Sequence, residues 1–81
     1  MAHYFLDITA DVCPLTFVKT KLLIERMARG DVAEVRLRGA EPLENVPRSV
    51  REHGHEVISL VPAEAGRAAP DDIHVLRMRK R

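Results

Sequence analysis

One residue in this chain has the chemistry to form a covalent bond with a substrate under mild conditions. It is Cys13, the only cysteine among 81 residues. A single cysteine more often packs as a small apolar side chain than reacts, so its setting has to decide. It is followed at once by Pro14, and then by a run with helical periodicity. Proline suits a first helical turn, where its missing N–H would be unpaired anyway. This predicts Cys13 as the N-cap of a helix with Pro14 in its first turn. Peptide dipoles and free N–H groups at a helix start favour an anion, and a thiolate is one. Lys19 and Lys21 lie one to two turns further along and would add positive field.

Other chemistry is weakly represented. The histidines His3, His53, His55 and His74 are scattered, and with one distant cysteine their spacing suits no zinc site. No glycine-rich phosphate loop, Ser-His-Asp set or acidic pair is present. The expectation is no metal and no cofactor.

Positioning Cys13 requires elements around it. His3 to Ile8 alternates as a strand, with Tyr4, Leu6 and Ile8 on one face. The helix runs to about Arg29, and Gly30 stops it. Phe17, Thr20, Leu23, Ile24, Met27 and Ala28 share an uncharged arc that should pack on a sheet. A second apolar stripe, Leu15, Val18 and Leu22, lies among charged residues and begins beside Cys13. If exposed, it would make a docking surface for a partner. Val32 to Leu37 reads as a second strand, and Gly39 to Pro42 as a loop. Asn45 would cap a helix over 46–53 with Val46, Ser49, Val50 and His53 inward, ended by Gly54. His55 to Val61 and Asp72 to Arg79 read as strands, joined by a Pro-, Gly- and Ala-rich mobile loop or wide hairpin turn. The order β-α-β-α-β-β implies a two-layer α/β (α+β) sandwich. A four-stranded mixed sheet would carry both helices on one face. At this length the whole of 1–81 is expected to be one domain.

Composition bounds the function. The chain is 46% hydrophobic and 31% charged, with no apolar run long enough to span a membrane. Its first residues lack a signal-peptide pattern. With one cysteine, these features lead us to expect a cytoplasmic protein without disulfides. Net charge is +1, which does not mark a general polyanion binder. Basic residues do cluster at Arg36–Arg38 and at Arg77, Arg79, Lys80 and Arg81.

The residues Leu6-Asp7-Ile8, Asp11-Val12-Cys13-Pro14-Leu15-Thr16 and Gly30-Asp31 together resemble the TusA/SirA family of bacterial sulfur-carrier proteins. Asn45-Val46-Pro47, Gly54-His55-Glu56 and Arg79-Lys80 also fit, so the resemblance covers nearly the whole chain. It implies a carrier, a sulfurtransferase-like protein rather than a stand-alone enzyme. A cysteine desulfurase or rhodanese-like donor would load Cys13 as a persulfide, and an acceptor protein would take the outer sulfur. Pro14 would be structural support. The family motif is Cys-Pro-x-Pro, and here Thr16 replaces the second proline, which restores a backbone N–H and adds a hydroxyl. The segment from Gly39 to Asn45 also departs from the family's acidic Asp-Asp-Pro pattern. Two other readings remain at this level. One is an interaction module touching protein or RNA through the basic C-terminal strand; the same arrangement is similar to the C-terminal domain of a translation initiation factor. The other is a redox sensor in which Cys13 is oxidised to a sulfenic acid.

Overall fold

The computed structural model describes residues 2–12 and 14–81; Cys13 lies outside the described residues. The elements are β1 (His3–Asp7), α1 (Leu15–Arg26), β2 (Val32–Leu37), α2 (Ala40–Glu52), β3 (Glu56–Pro62) and β4 (His74–Arg79). The four strands form one sheet in the order β1-β2-β4-β3. β1 and β2 are parallel, and β4 runs antiparallel to both β2 and β3. This is the expected α+β sandwich with a mixed sheet.

Alternation sorts each strand into an inner and an outer face. Ala33, Val35 and Leu37 of β2 and Leu76 and Met78 of β4 are fully buried. They meet Leu23 of α1, Met27 just after it and Val46 and Val50 of α2, with Ile8 just after β1. Both helices therefore cover one face. The other face is open and carries Phe5, Ile58 and Val61 exposed.

Helix boundaries differ from the sequence reading in three places. α1 begins at Leu15 with Pro14, not Cys13, at the N-cap position. The turn before it closes through Leu15 N–H to the Val12 carbonyl at 2.8 Å, and Val18 N–H to the Pro14 carbonyl follows at 3.0 Å. α1 ends at Arg26, not Arg29, because tertiary partners take over its C-terminal groups. The Lys80 ammonium donates to the Ile24 and Met27 carbonyls, both at 2.8 Å. Asp31 accepts from Ala28 N–H at 2.9 Å and from Ala2 N–H at 3.0 Å, drawing the chain out of the helix and towards β1. Gly30 therefore sits in this turn, bonded to the Lys80 carbonyl, rather than as the stop of α1.

The largest correction is α2. It starts at Ala40, so the expected loop at Gly39 to Pro42 is a helix start and Asn45 is not its cap. Gly39 takes φ +105°, which a side chain would resist, and a Cβ there would meet Pro42 Cδ at 3.3 Å. Pro42 falls in the first turn, where a missing donor costs nothing. Pro47 falls in the interior, and it is buried. Its burial, with Pro42, Val46 and Val50, outweighs the hydrogen bond it removes. The helix ends as expected, with Gly54 at φ +84° and His55 N–H bonded to the Val50 carbonyl at 3.0 Å.

Asp31 and Lys80 tie three chain segments together at the far end of α1, and both are testable. Lys80→Met should cost about 1–3 kcal/mol in urea unfolding, since it removes charged donors from part-buried carbonyls. The Ala2 and Ala28 N–H groups hold the Asp31 carboxyl below its ordinary value of 3.8. A depressed carboxyl stabilises the fold above its unfolded value and loses that effect as pH falls through the folded value. Asp31→Asn should therefore lower Tm at neutral pH, and the gap from the parent should shrink below about pH 3.8.

Candidate functional site

The site is built around the connection from β1 to α1. β1 stops at Asp7, whose carboxylate accepts the Thr9 N–H at 2.9 Å and the Thr9 hydroxyl at 2.6 Å. These bonds lower the Asp7 pKa, with a smaller contribution from Arg36. The Arg38 Nε donates to the Thr9 carbonyl at 3.0 Å, and the Asp11 N–H reaches the Ile8 carbonyl at 3.1 Å. Asp11 then bonds Lys19 at 2.8 Å, clamping the segment to the second turn of α1. The chain that delivers Cys13 is thus held on three sides.

Lys19 and Lys21 stand differently from one another. Lys19 is paired with Asp11, so the positive field that it would lend to Cys13 is offset by a carboxylate two residues before the thiol. Lys21 lines the groove between the two helices, together with Phe17, Ile24, Val46, Val50 and His53. The remaining positive influence is the helix itself: among the described residues α1 has no acidic residue in its first turn and no side-chain cap.

Thr16 is fully buried on the core-facing side of α1, and its carbonyl accepts the Thr20 hydroxyl at 2.8 Å. With Leu23 and Met27 it defines the arc that seals the sheet. Phe17 and Ile24 are half-buried and Ala28 is exposed, so this arc sits one position further round the helix than expected. Pro14 is exposed.

The second stripe is exposed: Leu15 49%, Val18 41% and Leu22 54%. Val12, at 72% exposure, extends it to the other side of Cys13 in the chain. Val12 was missed in the sequence because one valine in a loop carries no periodicity. Cys13 is therefore bracketed by exposed residues, Val12 before it and Pro14 and Leu15 after it.

Three of the four histidines have structural explanations. The His53 ring lies 6.2 Å from Phe17, and its Nδ1 donates to the Ser49 carbonyl at 2.8 Å. His74 Nδ1 donates to the Asp72 carbonyl at 2.8 Å. His55 Nδ1 accepts the Arg81 N–H at 3.1 Å. Desolvation first, then Lys80 and His53, hold the His55 pKa below its ordinary 6.5. The basic end is likewise engaged: Arg77 pairs with Glu34, while Arg79 and Arg81 both pair with Glu56. Lys80, part-buried, spends its ammonium on its two carbonyl bonds.

The described residues form a small α+β domain in which Val12 and Pro14, the sequence neighbours of the single cysteine, are exposed just before α1. The family profile for sulfurtransferase TusA matches residues 4–69. A protein of Archaeoglobus fulgidus named as a candidate sulfur carrier is 44% identical over 59 residues, covering 73% of this chain and 67% of that protein. A similarly named protein of Thermotoga maritima is 34% identical over 55 residues, covering 68% and 70%. Another from Methanocaldococcus jannaschii is 36% identical over 53 residues, covering 65% and 71%. The chain belongs to the TusA family of sulfurtransferases. Among the described residues, no helix is long and apolar enough to cross a membrane.

The Asp11–Lys19 pair predicts a specific titration. Lys19→Met should leave Asp11 uncompensated and raise the thiol pKa of Cys13 by roughly half a unit. Removing both charges, in Asp11→Asn with Lys19→Met, should restore the parent value. Ultraviolet absorbance of the thiolate against pH reads all three proteins.

Proposed function

We propose that this protein carries sulfane sulfur as a persulfide on Cys13 and passes it to a partner protein. In loading, the Cys13 thiolate attacks the terminal sulfur of a donor persulfide. The new S–S bond forms as the donor's S–S bond breaks, and the donor leaves as a thiolate. In delivery, a thiolate of the acceptor attacks the outer sulfur, and Cys13 leaves as a thiolate. Each step exchanges one S–S bond for another, so no oxidant is needed. A cysteine desulfurase or rhodanese-like protein fits the donor role, since either presents such a persulfide.

The observation that carries this reading is the TusA family match across a segment that includes Cys13-Pro14. The local geometry supports it. A helix start with no acidic residue in its first turn, and with Asp11 offset by Lys19, favours the thiolate as nucleophile and as leaving group. Pro14 and the buried Thr16 fix the first turn beside it. The exposed Val12, Leu15, Val18 and Leu22, which flank Cys13 in sequence, give the acceptor an apolar surface. Lys19, held by Asp11, braces the loop rather than adding net charge.

Carrier and sensor readings separate on turnover. Loaded protein should give up its sulfur to an acceptor thiol and accept it again, whereas a sensor would stop at an oxidised thiol. The docking surface is tested by Leu15→Glu with Val18→Glu. Both sites are exposed, so Tm should stay within about 2 °C of the parent. Sulfur transfer to the acceptor should slow by about tenfold or more, followed with labelled sulfur. Unchanged transfer would remove this surface from the account.

A further inference from the structure

We propose that a cleft on the open face of the sheet, where β1 and β2 end, binds a tetrahedral oxyanion of the phosphate or sulfate class. The cleft holds about 490 Å³ and is lined by Arg36, Arg38 and Arg67 with Glu64, Asp72 and Ile73. Two separate stretches supply the guanidinium groups: the end of β2 with the residue just after it, and the β3–β4 connection. Alternation puts Arg36 and Arg38 on the same side of the chain, away from the core.

Each arginine is held by its surroundings yet keeps donors available. The Arg36 guanidinium lies 6.0 Å over the Phe5 ring, and its Nε is buried with no hydrogen-bond partner among the described residues. Asp7, its cross-strand neighbour, feels the Arg36 charge, but its carboxylate is hydrogen-bonded by Thr9 and makes no hydrogen bond to the guanidinium among the described residues. Arg38 is fixed through Nε to the Thr9 carbonyl, and its terminal amino groups make no hydrogen bond among the described residues. Arg67 reaches Asp72 only at 3.7 Å, while Asp72 also accepts the Ala69 N–H at 3.1 Å. Glu64 is the other carboxylate of the lining, so three cations face two anions.

A concave surface with a net positive charge concentrates anions. Planar guanidinium forks pair two donors with two oxygens of a tetrahedral group, which a lysine cluster would not do. The position also suits a ligand: in open α/β sheets, ligands gather beyond the carboxyl ends of the strands. Arg38 lines the adjoining depression too, with Asp11, Val12 and Gly39, so the cleft continues to the segment before Cys13. The inference does not depend on sulfur transfer. A free anion and the phosphodiester of a nucleic acid share this chemistry.

The test is nuclear magnetic resonance titration of the full chain with inorganic phosphate at constant ionic strength, with chloride as control. Saturable shifts are expected at the Arg36, Arg38 and Arg67 side-chain N–H groups and at residues 63–73, with Kd on the order of millimolar. Arg67→Gln, on an exposed loop, should weaken binding by about fivefold or more while leaving distant signals in place. A short single-stranded RNA displacing phosphate from the same residues would assign the phosphodiester as the source. RNA that leaves those signals unmoved would assign the free anion. Shifts that do not saturate, that chloride reproduces, or that persist unchanged in Arg67→Gln would overturn the proposal.

Discussion

The rotation of α1 about its own axis governs the rest of the molecule. The sheet presents a continuous apolar inner face, with Ala33, Val35, Leu37, Leu76 and Met78 all at zero exposure. Only one side of α1 can cover it, and the helix turns Thr16, Thr20, Leu23 and Met27 inward. Every other position on the helix follows. Leu15, Val18 and Leu22 must face solvent although they are apolar, and Lys19 must fall where Asp11 can reach it. Thr16 and Thr20 bring hydroxyls into the core, and the Thr20 hydroxyl is satisfied within the helix by the Thr16 carbonyl.

The two ends of α1 are secured by different means. At its C-terminal end the chain spends its charged groups: Lys80 caps two carbonyls and Asp31 collects two N–H groups. At its N-terminal end no side chain among the described residues caps the helix. Stability is concentrated where no chemistry is proposed, and at the end that follows Cys13 in sequence the one nearby carboxylate, Asp11, is offset by Lys19. The basic C-terminal residues are part of that division of labour. They form a basic cluster in the sequence, and in the structure they meet Glu34, Glu56 and the end of α1.

Most of the fold was legible because its signals are local. β2 alternates strictly, and its bounds, Val32–Leu37, match the reading to the residue. The element order and the exposed stripe of α1 followed from the 2.0 and 3.6 residue periods. What was not legible rests on distant partners. The end of α1 is set by Lys80, more than fifty residues away in sequence. The start of α2 was hidden because Pro42 and Pro47 read as a loop and a first turn, while burial of both prolines decides otherwise. In the candidate site, the stripe Leu15, Val18 and Leu22 was visible, and the exposed Val12 and the Asp11–Lys19 clamp were not. An aspartate eight residues from a lysine, with a loop between them, has no sequence signature.

The central claim is that Cys13 itself carries the sulfur. Its most direct test is mass spectrometry of the protein after incubation with a cysteine desulfurase and cysteine, intact and then as peptides. The account predicts a gain of one sulfur atom, confined to the peptide containing Cys13, removed by a thiol reductant and absent in Cys13→Ser. No gain in mass, or a gain that survives Cys13→Ser, would contradict it.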